Sequence, residues 1–265
     1  MRHFSVYPLG DYHARRMPYP CDVKTQLRAI REAGFDTVAL SYDETPLAEQ
    51  AAFARELGLV IDNVHLSCND MSHIWYDTPK GDAICERLCR EIRELGELGI
   101  GIGVVHATYG PDDIPEEQLP VGLARFEKAV ALAAACGVKL AIENTRVARP
   151  VCYLLDNLHS DAFGFCWDSG HENFCSPDID FLSLYGDRLI AMHLHDNDGT
   201  NDMHWNLFHP KSTMKWEARV PTLKKCALFD RIIALEAAEL EDTSALSHFE
   251  RAMAGAKKLA SLLDA

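Results

Sequence analysis

The run GDAICERLCREIRELGELGIGIGVVHATY (residues 81–109) holds a helix and a strand back to back. In 81–99 the apolar residues Ile84, Leu88, Ile92 and Leu95 recur at spacings of four, four and three, so they share one helical face. GIGVVHATY (101–109) then reads as a short β-branched strand ending near His106, and LVIDNVHLS (59–67) precedes the helix as a strand ending near His65. Strand, helix, strand in this order implies parallel strands with a covering helix.

The same alternation runs outward in both directions. Upstream stand HFSVYPLG (3–10) and FDTVALS (35–41); downstream stand VKLAIENT (138–145), FGFCWDSG (163–170), LIAMHLHD (189–196) and RIIALEAA (231–238). Helices are predicted over 22–34, capped by Asp22 and stopped by Gly34, and over 46–58, 121–136 and 243–264. The connections through 176–188 and 197–230 have mixed character. Eight strand–helix repeats in 265 residues predict an α/β fold, a closed (β/α)8 TIM barrel, as a single domain over 1–265. A doubly wound open sheet is the alternative. Its GxGxxG fingerprint is absent after the first strand, and GIGIG (99–103) precedes its strand rather than following it.

Composition narrows the class. Hydrophobic content of 48% with 25% charged residues suits a full globular core. No apolar run approaches the roughly 18–20 residues of a membrane span, so no membrane partner is expected. The opening residues carry no signal-peptide core, and the nine cysteines are odd in number with no CxxC pair. A cytoplasmic chain with free thiols is the expectation. The net charge of −14, without basic clusters, argues against a nucleic-acid partner. Homo-oligomerisation stays open.

The strand ends carry the chemistry. His65, His106, Glu143, Asp168 with His171, His193, and Glu236 fall near the ends of strands three to eight. In a barrel all of them lie on one rim, where barrel enzymes keep their sites. Glu143, Asp168, His193 and Glu236 make an oxygen-rich set with one imidazole, suited to divalent Mn, Zn, Co or Mg. Carboxylates crowded this closely repel one another unless a cation neutralises them.

Four motifs, LAIENTR (140–146), GFCWDSGH (164–171), MHLHDNDGTNDMH (192–204) and ALEAAE (234–239), resemble the xylose isomerase-like TIM-barrel superfamily of sugar (phosphate) isomerases and epimerases, which also includes endonuclease IV. The resemblance implies Glu143, Asp168, His193 and Glu236 as metal ligands, with Glu143 and Glu236 also moving the proton. It implies His171 as a contact for substrate or a further metal. By similarity to endonuclease IV, His65, His106, His171, Asp202 and His204 are the residues that a multi-metal site would add. The chain departs from the family at WNLFHPKSTMKWE (205–217), where a proline- and glycine-rich turn is usual.

The implied activity is a metal-dependent isomerase or epimerase of a small sugar or sugar phosphate, with a multi-zinc phosphodiesterase as the alternative. A barrel that binds a sugar without catalysis is a third reading. His65, His106, His171, His195 and Arg146 are assigned to substrate, Arg146 to a phosphate or carboxylate. Asp196 is expected to orient an imidazole. Trp167 is expected to turn toward the helices, and Trp75, Tyr109 and Phe208 to lie in rim loops above a sugar. His3, His73, His159 and His248 receive no role.

Overall fold

Inward and outward residues alternate along every strand, and that alternation organises the molecule. The computed structural model describes residues 2–10, 14–239 and 243–265. Eight parallel strands stand in chain order: β1 (His3–Val6), β2 (Thr37–Ser41), β3 (Val60–His65), β4 (Ile102–His106), β5 (Lys139–Glu143), β6 (Phe163–Asp168), β7 (Leu189–His193) and β8 (Ile232–Leu235). β2 to β7 form one six-stranded sheet, and β1 pairs with β8 in register from His3↔Ile232 to Val6↔Leu235. Leu194 joins the two sheets. Its N–H donates to the Ala234 carbonyl at 3.0 Å, and its carbonyl accepts from Glu236 N–H at 3.1 Å. At the opposite seam β1 meets β2 through side chains. Thr37 Oγ1 donates to the Phe4 carbonyl at 2.7 Å, and Phe4 N–H donates to Asp36 Oδ1 at 3.0 Å.

Nine helices among the described residues follow the strands: α1 (Val23–Glu32), α2 (Leu47–Glu56), α3 (Pro79–Glu97), α4 (Leu119–Ala135), α5 (Ala148–Asn157), α6 (Ser169–Cys175), α7 (Phe181–Tyr185), α8 (Trp216–Leu223) and α9 (Ala245–Asp264). Asp22 caps α1 by accepting from Lys24 and Thr25 N–H, as the sequence predicts. α3 turns Ile84, Leu88, Ile92 and Leu95 inward, and all four are buried. The strands are shorter than predicted because their polar ends leave the ladder to form the rim.

Outward residues such as Val105, Ile142, Phe165 and Trp167 pack under the helices in the main core. Inward residues are small: Val104, Ala141, Cys166 and Ala191 form a separate buried layer inside the barrel. Each ligand candidate on these strands is the next inward residue above that layer. His106, Glu143, Asp168 and His193 each follow their layer residue by two. Small side chains below leave room for bulky polar ones above.

Three expectations need correction. Trp75 is fully buried, donates from Nε1 to the Ala107 carbonyl at 2.6 Å and packs on Phe126, so it is core and not a sugar platform. Phe208 packs near Trp216 and under the Lys258 ammonium, away from the site. The Asp196 carboxylate accepts from Trp216 Nε1 at 2.7 Å and His209 N–H at 3.1 Å, so it anchors a loop rather than an imidazole. Trp167 lies among the helices as expected, edge-on to Trp216 and Phe229.

Candidate metal centre

The rim gathers the predicted residues into one cluster. Glu143 is its hub. Its Oε2 lies 3.2 Å from His193 Nδ1, 3.2 Å from His106 Nε2 and 3.4 Å from His65 Nε2, and its Oε1 lies 3.1 Å from His171 Nδ1. Glu236 Oε2 reaches the same His193 Nδ1 at 3.1 Å from the end of the neighbouring β8. Asp168 Oδ2 stands 3.5 Å from His171 Nδ1 and 3.9 Å from His193 Nδ1. Asp168 also caps α6, accepting from His171 N–H at 2.6 Å, so one residue fixes the helix and His171 together.

Asp202 and His204 join the cluster through a closed loop. The N–H and carbonyl of Asp196 pair with those of Trp205 at 2.8 and 2.9 Å, which returns residues 197–204 over the rim. Asp202 Oδ2 then lies 3.2 Å from His171 Nε2, and Oδ1 lies 3.2 Å from His204 Nε2. His204 adopts φ 49°, a left-handed backbone uncommon outside glycine. His195 is fully buried and lines neither of the cavities described below. Its Nε2 faces Asp168 Oδ1 at 3.1 Å, and its ring stacks on His204 with centroids 4.0 Å apart. A Cβ on Gly170 would sit 1.9 Å from His195 Cε1, so only glycine admits that imidazole.

Sequence reasoning overlooked the supports. Tyr7 lies just beyond β1, where no rim acid or histidine marks the strand. Its buried hydroxyl donates to Asn63 Oδ1 and therefore accepts from His193 Nε2, 3.1 Å away. That places a proton on His193 Nε2 and turns Nδ1 toward two carboxylates, as the nitrogen that a metal ion would take. Asn144 ties the β5 and β6 rims, accepting from Asp168 N–H at 2.7 Å and donating to its carbonyl at 2.8 Å. Ser169 braces His195, accepting its N–H at 3.0 Å.

The electrostatics demand positive charge. Burial disfavours a charged Glu143, but His193 and His106 beside it hold its pKa well below the ordinary range. Burial likewise opposes ionisation of Asp202, and the His171 and His204 imidazoles beside it drive its pKa below the usual carboxylate range. Burial opposes charge on His204, yet Asp202 lifts its pKa to about 9. His193 is raised despite its burial by its neighbours Cys166, Tyr7, Glu143 and Glu236. Burial outweighs the same kind of neighbours at His106, whose pKa is lowered.

The donor set fits a divalent cation. Glu143 Oε2, His171 Nδ1, His193 Nδ1 and Asp202 Oδ1 are buried and make no hydrogen bond, although each stands within 3.5 Å of an opposite partner. These atoms stand close enough together to share an ion. Four groups of ligand atoms, each mutually within 4.8 Å, result: His65–Glu143–His193, Asp168–His193–Glu236, Glu143–Asp168–His171 and His195–Asp202–His204. No thiolate belongs to them. Two cavities flank the cluster. The larger, about 420 Å³, spans Tyr7, Ser41, His65, His106, Glu143 and Glu236. The smaller, about 340 Å³, reaches Arg146 and Tyr109 on the β4–β5 side.

Fold and rim together define a parallel α/β barrel with a carboxylate–imidazole cluster at the C-terminal ends of its strands. The chain belongs to the xylose isomerase-like TIM barrel family, which residues 27–258 match. It is 37% identical over 229 residues to the uncharacterized protein y4fM of Sinorhizobium fredii, covering 81% of this chain and 68% of that one. Among solved structures, a D-tagatose 3-epimerase-like protein superposes with TM-score 0.76 at 19% identity, covering 99% of this chain and 97% of that chain. An L-ribulose 3-epimerase superposes with TM-score 0.74 at 17% identity, covering 100% and 99%. Among the described residues no helix is long and apolar enough to cross a membrane.

Proposed function

We propose that this protein is a metal-dependent isomerase or epimerase of a small sugar or sugar derivative. The observation that carries this reading is the pair of glutamates converging on His193 Nδ1 from β5 and β8, on either side of β7, at 3.2 and 3.1 Å, beside a cavity of about 420 Å³. Resemblance in fold to 3-epimerases supports it.

Glu143, Asp168, His193 and Glu236 would hold the ion. Bound there, a divalent ion supplies Lewis acidity to a carbonyl oxygen and its neighbouring hydroxyl, and a template for both. The residues do the proton work. One glutamate removes the proton from the carbon beside the carbonyl, and the other returns a proton to the opposite face or to the adjacent carbon. The Glu236 side chain is 26% exposed and Glu143 only 1%, so Glu236 meets the substrate more openly. Tyr7 fixes the tautomer of His193 and so keeps Nδ1 free for the ion.

The test is solvent-deuterium uptake beside the carbonyl, followed by NMR across a panel of ketoses with metal-loaded protein. Glu143→Gln and Glu236→Gln should each lose at least about 10²-fold in uptake, the usual contribution of a positioned acid or base. Full turnover in Glu143→Gln with metal bound would overturn the base role.

A second reading has its own observation. His65, His171, Asp202 and His204 complete ligand groups beyond the four-residue set. Two or three ions per chain with cleavage of an activated phosphodiester would favour a hydrolase. The −14 charge opposes a nucleic-acid substrate. One ion per chain at full loading removes this reading.

A further inference from the structure

We propose that the smaller cavity is a subsite for an anionic group, a phosphate or a carboxylate, carried by the substrate and held by Thr108, Thr145 and Arg146. The inference rests on the sugar-converting reading and narrows its substrate class to acidic or phosphorylated sugars.

Three observations meet in this cavity of about 340 Å³. Thr108 and Thr145, 1% and 4% exposed, both line it, and neither Oγ1 has a hydrogen-bond partner in the protein. A buried hydroxyl left without a partner is unfavourable. Two such hydroxyls lining one cavity, on the β4 and β5 rim loops, are two donors prepared for one acceptor. Arg146 is the third wall. It is exposed and makes no ion pair or hydrogen bond with the described residues.

That isolation is informative in an acidic chain. Arg2, Arg125, Arg149, Arg219 and Arg251 each pair with a carboxylate. Arg146 stands at the edge of the densest carboxylate cluster in the described residues and pairs with none. Asp202, the acid that shares its cavity, is taken by His171 and His204 at 3.2 Å each. The guanidinium fork therefore remains available for an oxyanion, which it matches in two-point geometry.

The position suits one end of a sugar. His106, His171 and Asp202 line this cavity and the larger one, so the two meet above the metal cluster. A substrate whose carbonyl lies over Glu143 and Glu236 can extend its charged end toward Arg146. A neutral hydroxyl would satisfy a threonine but would leave the arginine without a counter-charge.

The experiment is calorimetric titration of the metal-loaded protein with three probes: glycerol 3-phosphate, D-glycerate and glycerol. The better-binding anion identifies the group as phosphate or carboxylate. At least one anion is expected to bind tenfold or more tighter than glycerol, and to lose tenfold or more in Arg146→Gln at unchanged metal content. Thr145→Val keeps the shape and removes only the hydroxyl, so it carries the test if Arg146→Gln loses metal; it should weaken the same anion. Anions that bind both variants as tightly as the wild type, or no better than glycerol, overturn the subsite. Absence of deuterium uptake with every sugar would instead count against the sugar-converting reading and leave the titration to judge the anion site.

Discussion

At the scale of single residues, the arrangement of the rim cluster rests on groups outside the proposed ligand set. Tyr7 accepts from His193 Nε2 and so decides which nitrogen faces the carboxylates. Partners of this kind are worth about 10- to 100-fold in metal affinity or activity. Tyr7→Phe is expected to lower metal affinity by that range while the circular dichroism stays unchanged, which competition with a chelating dye measures. Gly170 acts through space rather than through a bond. Its Cβ position is filled by the His195 ring, so Gly170→Ala must displace His195 and with it the face of Asp168. The expected cost is about 1–3 kcal/mol of stability, as for other overpacked sites, and loss of the metal affinity supported by Asp168. Unfolding in urea and metal content check the two parts separately. Unaltered values in both would remove the close-approach argument. Neither Tyr7 nor Gly170 was legible as a site residue, because their effects depend on what lies across the barrel and not on neighbours in the chain.

At the scale of elements, the sequence was most legible where a period was long and capped. α3 shows its buried stripe at spacings of three and four, and α1 shows its cap at Asp22. α8 was hidden because Pro221 stands inside it and its start lacks a side-chain cap. α6 and α7 are too short to show a period. Rim acids and histidines were legible because each ends an apolar strand, whereas Trp75 and Phe208 were misplaced: a loop aromatic gives no sign of which way it packs. The Asp22 cap yields a prediction with a definite sign. Its hydrogen bond from Thr25 lowers its pKa, so the stabilisation is fully present above the ordinary aspartate range and is lost as pH falls through the lowered value. Asp22→Ala should cost about 1 kcal/mol at neutral pH, typical of such caps. The gap between variant and wild type should narrow in acid, as urea melts at the two pH values will record; a gap equal at both would argue against the contribution of the ionised carboxylate.

At the scale of the whole molecule, the strands bring candidate ligands that are distant in sequence close together, and an ion held by the proposed four would link both sheets. Glu236 follows β8, which pairs with β1, whereas Glu143, Asp168 and His193 end strands of the six-stranded sheet. In the protein itself the two sheets are joined by Leu194 on one side, by Asp36 and Thr37 on the other, and by Tyr7 to Asn63 and His193 across the rim. An ion held by ligands from both sheets therefore acts as a cross-link and binds only the closed ring. Linkage then requires stability to rise with free metal, by about 2.7 kcal/mol at a hundredfold excess over Kd. Thr37→Val weakens the other seam by removing the bond to the Phe4 carbonyl, at a cost of about 1 kcal/mol. The melting temperature should fall on chelation and recover on adding back Mn, Co or Zn, in the wild type and in Thr37→Val alike. Glu236→Gln should lose much of the metal-dependent rise, because it cuts the one predicted ligand on the β1–β8 side. If Glu236→Gln gained as much stability from metal as the wild type, the ion would not bridge the sheets, and the four-ligand centre would have to be redrawn within the larger sheet alone.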